Sequence, residues 1–199
     1  IELNDHLGNF ELTSLDEFLN DNIFDIEKSF KSFLKNIIII IDNEDFLDIK
    51  VSLKKKNYGK NFDKNDLGYL LKDAKNQIKE NYDNLIITHM IITKYSIDDE
   101  LYSFLPINLK CDTVCVEVNF ICFSESFYKK LEKVLNKYQI KIQQILSAKY
   151  IKNYFKDDLV DIFKMSQKII DGHNKNEVLL VSKTFKNKGF FEKFFNFFS

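Results

Sequence analysis

Histidine and cysteine are the residues of this 199-residue sequence whose side chains could hold a metal or attack a substrate. His6, His89 and His173 lie far apart, and none has a second ligand three or four positions away. Isolated histidines of this kind read as surface residues or as satisfied core residues, not as metal ligands or catalytic bases. Cys111, Cys115 and Cys122 crowd into one apolar stretch. Their odd number and spacing fit neither a disulfide framework nor a zinc site, and a reducing cytoplasm suits them. Cys115 could act as a nucleophile only if a distant histidine approached it, and the alternation of its strand predicts a buried, inert thiol. The expectation is a chain with no catalytic constellation, no metal and no cofactor.

Chemistry of recognition is more visible. The last ten residues contain Phe190, Phe191, Phe194, Phe195, Phe197 and Phe198. On an α-helix these six rings fall within an arc of about 160°, which leaves Glu192, Lys193 and Asn196 on the remainder. Lys186, Lys188 and Lys193 border the apolar face against the single Glu192. Such a helix suits the surface of an anionic bilayer, with the lysines adding to the hydrophobic term. Tyr95, Asp98, Asp99 and Glu100 form a polar turn that reads as a partner-binding edge. Lys54, Lys55, Lys56 and Lys60 with Tyr58 read as a solvated loop beside Asp42, Glu44, Asp45 and Asp48. The net charge of -1 supplies no global field for nucleic acid, which is not an expected partner.

The elements that must position these residues follow from periodicity. Ser14 and Glu17 have capping-box spacing, and Leu15, Leu19, Ile23, Ile26, Phe30, Phe33 and Leu34 continue a helical stripe to about Asn36. Residues 37–41 and 46–53 read as strands, and the polar segment 54–64 reads as a loop. Asp63 and Asp66 open a second helix with Leu67, Leu70, Leu71, Ala74 and Ile78 on one stripe. Residues 85–95 and 113–123 read as paired strands, Phe127 to Tyr138 as a third helix and residues 140–146 as a further strand. A less regular helical stretch covers residues 148–170. The order describes an α+β fold with helices laid on one small, mainly antiparallel sheet. The longest apolar run, residues 37–41, is far short of the roughly 20 residues that span a bilayer, so the chain is expected to lie on a membrane and not to cross it.

Several segments, taken in order, resemble the bacterial actin-like cell-division protein FtsA. Residues 47–146 look like its inserted subdomain, known as SHS2 or 1C. The run 62–67 is similar to the turn that opens the subdomain's first helix, and 87–98 to a strand that runs into a tyrosine and an aspartate. Residues 105–109 match the proline turn after it, 141–148 resemble the strand that leaves the subdomain, and 189–198 resemble the membrane-targeting helix. The resemblance divides the chain into an N-terminal helix and strand (1–46), an SHS2-like interaction domain (47–147), a helical connector (148–181) and a basic linker with an amphipathic helix (182–199). It implies a scaffold or adaptor of the divisome, peripheral on the cytoplasmic face of the inner membrane. Its partners would be anionic lipids, division proteins and a second copy of itself. The family's nucleotide-binding lobes are largely missing here. Asp5-His6-Leu7-Gly8 and Asp171-Gly172-His173-Asn174 lack the family's phosphate-loop spacing. ATP binding and the FtsZ-tail contact, which the family places in a missing lobe, therefore do not carry over. The other reading is a soluble interaction domain, or a type IV pilus assembly relative, whose phenylalanine helix docks into a protein groove.

Overall fold

The computed structural model describes residues 12–42, 46–106, 109–156 and 161–178. The terminal segment with Phe190, Phe191, Phe194, Phe195, Phe197, Phe198, Lys186, Lys188 and Lys193 lies outside the described residues, as does His6. Among those described, the fold is α+β, as the element order predicts. It holds two sheets where one was expected. A four-stranded antiparallel sheet has the order β2-β5-β3-β4, from β2 (Leu47–Phe62), β3 (Leu85–Ile97), β4 (Glu100–Tyr102) and β5 (Leu109–Ser124). A second sheet pairs β1 (Asn36–Ile41) in parallel with β6 (Lys141–Ser147).

Helix α2 (Lys64–Asn81) covers one face of the larger sheet. Its start is fixed by Asp63, whose carboxylate accepts from the Asn65 and Asp66 amides at 2.8 and 3.0 Å while Asp66 returns a bond to the Asp63 amide. This is the capping box that the sequence announces. The stripe Leu67, Leu70, Leu71, Ala74 and Ile78 then meets Phe62, Met90, Val116, Val118 and Phe120 in the main core. On the opposite face, Ile121 and Phe123 pack against Phe127 and Leu131 of α3 (Glu125–Lys137) and against Ile145 of β6. Helix α4 (Ala148–Tyr154) and helix α5 (Ile162–Ile170) close over Leu146 through Ile151, Phe155, Met165 and Ile169.

Three expectations need correction. Helix α1 (Thr13–Phe30) starts one residue before Ser14, with Leu12 at the N-cap and no side-chain cap bond, so the Ser14–Glu17 spacing does not form a capping box. It stops at Lys31, which takes a left-handed C-cap conformation at φ 53°, short of the Asn36 the stripe suggested. Only the front of that stripe is buried. Leu19 packs with Leu135 and Ile140, whereas Phe30 and Phe33 are 71% and 76% exposed. Residues 54–62 are strand and not loop. β2 continues along β5 through a bulge between Lys56 and Lys60, because an open sheet edge tolerates alternating lysines as readily as a loop does. Cys115 is half-buried, and Cys111 and Cys122 are the buried thiols. Burial raises the Cys111 thiol and pushes Cys122 up to about 11, so neither is poised as a thiolate.

Candidate functional site at the outer edge of β3

The polar turn singled out in the sequence forms the β3–β4 hairpin. Its two-residue turn is Asp98-Asp99, with φ 47° and 68°. Two successive left-handed residues give the turn that suits the twist of a hairpin, and aspartate tolerates that backbone better than most residues. Asp98 is not free to greet a partner. Its Oδ1 accepts from the Thr113 amide at 2.7 Å and the Asp112 amide at 2.9 Å, and the Thr113 hydroxyl adds a bond at 3.3 Å. The Thr113 and Asp112 amides hold the Asp98 carboxyl below its usual range. Asp98 thus staples the hairpin tip to β5.

Tyr95, grouped with this edge in the sequence, belongs to the core. It is 4% exposed, and burial pushes its phenol up to about 12. Asp99 and Glu100 do face solvent, beside exposed Leu101 and Phe104. Glu100 accepts a bond from the Tyr102 hydroxyl at 2.8 Å. Of the four residues, two therefore remain as a presented edge, with apolar neighbours that the sequence reading did not single out.

Beside the hairpin lies an arrangement that sequence reasoning missed. His89 on β3 is 0% exposed, and Glu177 reaches it from the far end of the described chain. Glu177 Oε1 stands 2.7 Å from His89 Nδ1, and the Ser147 amide donates to His89 Nε2 at 3.0 Å. Because Nε2 accepts, the hydrogen-bond pattern assigns the ring proton to Nδ1, directed at the carboxylate. The Tyr150 hydroxyl donates to Glu177 Oε2 at 2.7 Å, and Asn174 Nδ2 donates to that hydroxyl at 2.8 Å. Burial and the Glu177 charge raise the Tyr150 phenol. The Tyr150 ring also stands 4.5 Å from the His89 ring, centroid to centroid.

Histidine, carboxylate and tyrosine in one cluster invite a catalytic reading, but the geometry opposes it. Both ring nitrogens are in use, and no face of the imidazole reaches solvent. The cluster instead joins three pieces of chain: β3, the β6–α4 junction and residues 174–178. Backbone bonds complete the seam, from the Ile92 amide to the Asn176 carbonyl and from the Val178 amide to the Met90 carbonyl, each 2.8 Å. Residues 176–178 therefore extend the sheet along β3 next to β4, and the described chain ends on this edge at Val178. A glutamate 88 positions from its histidine leaves no local spacing to notice. The one hint was an unpaired polar residue, His89, within an apolar strand. His173 is exposed and stacks on Phe155 at 5.6 Å. Among the described residues, no group of three or more histidine, cysteine, aspartate or glutamate side chains could hold a metal ion. No helix among them is long and apolar enough to cross a membrane.

No protein-family model matches the chain, and no curated protein matches its sequence.

Proposed function

We propose that this chain is a membrane-tethered adaptor, held on an anionic bilayer by its phenylalanine-rich terminal segment and presenting its α+β body to cytoplasmic partners. The observation that carries this reading is the division of the last ten residues into six rings on one arc and polar residues on the other. Full burial of one such ring is worth about 1.5–3 kcal/mol, and six partly buried rings suffice for reversible anchoring. The clip around His89 supports it, because residues 174–178 are held against β3 and the segment that follows them is tied to a defined edge of the sheet. The body's order of elements resembles the SHS2 subdomain of FtsA, and on that resemblance the partners are division proteins at the inner membrane. The Asp99–Glu100 edge with Leu101 and Phe104 is the surface offered to them.

Flotation with anionic vesicles tests the tether, comparing the full chain with a form that ends at Lys188. The full chain is expected to float and the shortened form to stay at the bottom of the gradient. Equal flotation of the two would remove the membrane reading. A second reading has one observation in its favour. The exposed Phe30 and Phe33 of the α1 end give a phenylalanine-rich segment an apolar surface within the same protein to dock on.

A further inference from the structure

Strand β2 forms the edge of the four-stranded sheet opposite β4, and its two faces differ sharply. Ile49, Val51 and Leu53 turn toward α2 and the main core. Lys50, Ser52, Lys54 and Lys56 alternate with them, all exposed, opposite Asn119, Glu117, Cys115 and Thr113 of β5. The three lysines span about 20 Å of strand. None of them forms an ion pair among the described residues, whereas Lys55, on the other face, is tied to Asp66 of α2.

At the end of this row the strand bulges. The Asn57 side chain is buried and donates to the Lys60 carbonyl at 2.6 Å and to Cys111 Sγ at 3.4 Å. Gly59, two residues on, takes φ +69°. Between them Tyr58 is held at φ 53°, a left-handed conformation that bulky residues rarely adopt, with its ring 76% exposed. Lysines on an edge strand guard against pairing with other strands. That task does not call for an exposed ring fixed in a strained bulge, and such strain is characteristic of surfaces that recognise something.

We infer that this face of β2 is a second membrane-contact surface: Lys50, Lys54 and Lys56 meet an anionic bilayer, and the Tyr58 ring sits at headgroup level. The inference rests on the membrane reading above. Three observations select a bilayer over a nucleic acid. All 29 cationic Lys and Arg residues of the chain are lysine, so the planar fork that recognises phosphate in a fixed geometry is absent and the compact charge that answers a diffuse surface potential is present. The patch carries a single ring, not the series of stacking platforms that tracks a single strand. An interfacial tyrosine, apolar in body and polar at its tip, is the residue that membrane surfaces favour. Of the carboxylates on this side, Asp48 accepts from Asn119 and Glu117 pairs with Lys94, whereas Asp112 stands near Gly59 and offsets part of the positive charge of the three lysines. The tail can share the same membrane. Val178 lies beside β3 on its outer edge, three strand spacings or about 14 Å from β2, and the 11 residues before Phe190 can reach about 35 Å.

The chain contains no tryptophan, so Tyr58→Trp in the full-length protein gives a single emission signal at the bulge. On vesicles of phosphatidylcholine mixed with phosphatidylglycerol, that emission is expected to move to the blue and to be quenched by brominated lipid. Replacing Lys50, Lys54 and Lys56 together by serine, with circular dichroism unchanged, should weaken vesicle binding about tenfold or more and remove the shift. Flotation with an unshifted emission overturns the β2 surface and leaves the tail reading intact. Absence of flotation overturns both. A shift on single-stranded oligonucleotide but not on vesicles overturns the bilayer in favour of nucleic acid.

Discussion

The two sheets of this molecule are built to different degrees of completeness. The four-stranded sheet buries Phe62, Met90, Val114, Val116, Phe120 and Cys122 almost fully under α2, and its edges are dressed with lysines on β2 and with β4 and residues 176–178 on β3. The β1–β6 sheet is two strands wide. Its β1 reads Asn followed by five isoleucines, the near-continuous apolar run of a strand that is buried on both faces and flanked on both sides. Among the described residues, β6 is its one strand partner, and Ile38 is still 36% exposed. Next to it, Phe30 at the end of α1 and Phe33 just beyond it are exposed to solvent. Stability therefore resides mainly in the larger sheet, whose core is complete under α2, whereas the smaller sheet borrows its support from α3, α4 and α5.

Substitutions can sharpen that contrast. The largest effect is expected in the main core, where Phe120→Ala removes a fully buried ring and should cost about 3–5 kcal/mol in urea unfolding. A loss below 1 kcal/mol would mean that the four-stranded sheet is not the stabilising unit. The seam between the sheets comes next. His89→Ala strands the Ser147 amide and one Glu177 oxygen in a buried place, with an expected cost of about 1–3 kcal/mol. Hydrogen exchange at the Ile92 and Val178 amides should quicken more than at Val116, since those two amides close the same seam. Uniform quickening across the sheet would count against a local clip.

The Asp98 staple should show itself through acid. Its carboxyl titrates below the ordinary 3.8 in the folded protein, so its contribution is present above that value and fades as pH falls through the folded value. Asp98→Asn keeps a residue that tolerates the left-handed turn and removes the charge. The variant should therefore be less stable than the parent near pH 7 and lose less between about pH 4 and pH 2. Parallel pH profiles for the two would show that the carboxylate contributes nothing. The smallest effect is expected at the end of α1. Phe30→Ser and Phe33→Ser should change stability by no more than about 0.5 kcal/mol, as exposed positions do. A large loss would mean that this stripe is covered in solution.

How far the sequence was legible follows the same division. Wherever one face of an element is buried and its chemistry is marked locally, the sequence located it: the Asp63–Asp66 cap placed α2, alternation placed the first half of β2, and β-branched and aromatic composition placed β3 and the far end of β5. Local signals failed where distant chain decided the outcome. The stripe through Phe30 and Phe33 has helical spacing, but the body ends before the stripe does. The lysines of β2 resemble a loop until β5 lies beside them. The site divided similarly. Asp98-Asp99 was recognisable as a turn from composition, and Tyr95 was misplaced with it because a tyrosine near acids has no local mark of burial. The partnership of His89 with Glu177 depends on the end of the described chain folding back onto β3.

The proposed tether requires that the terminal rings enter a lipid surface. Binding of the full-length chain to phosphatidylcholine–phosphatidylglycerol vesicles, measured beside the same chain carrying Phe191→Asp, Phe194→Asp and Phe198→Asp, tests it most directly. Charges at three positions of the apolar arc should lower the partition coefficient by at least about a hundredfold while the circular dichroism of the body stays unchanged. Equal partition of the two proteins would contradict the account.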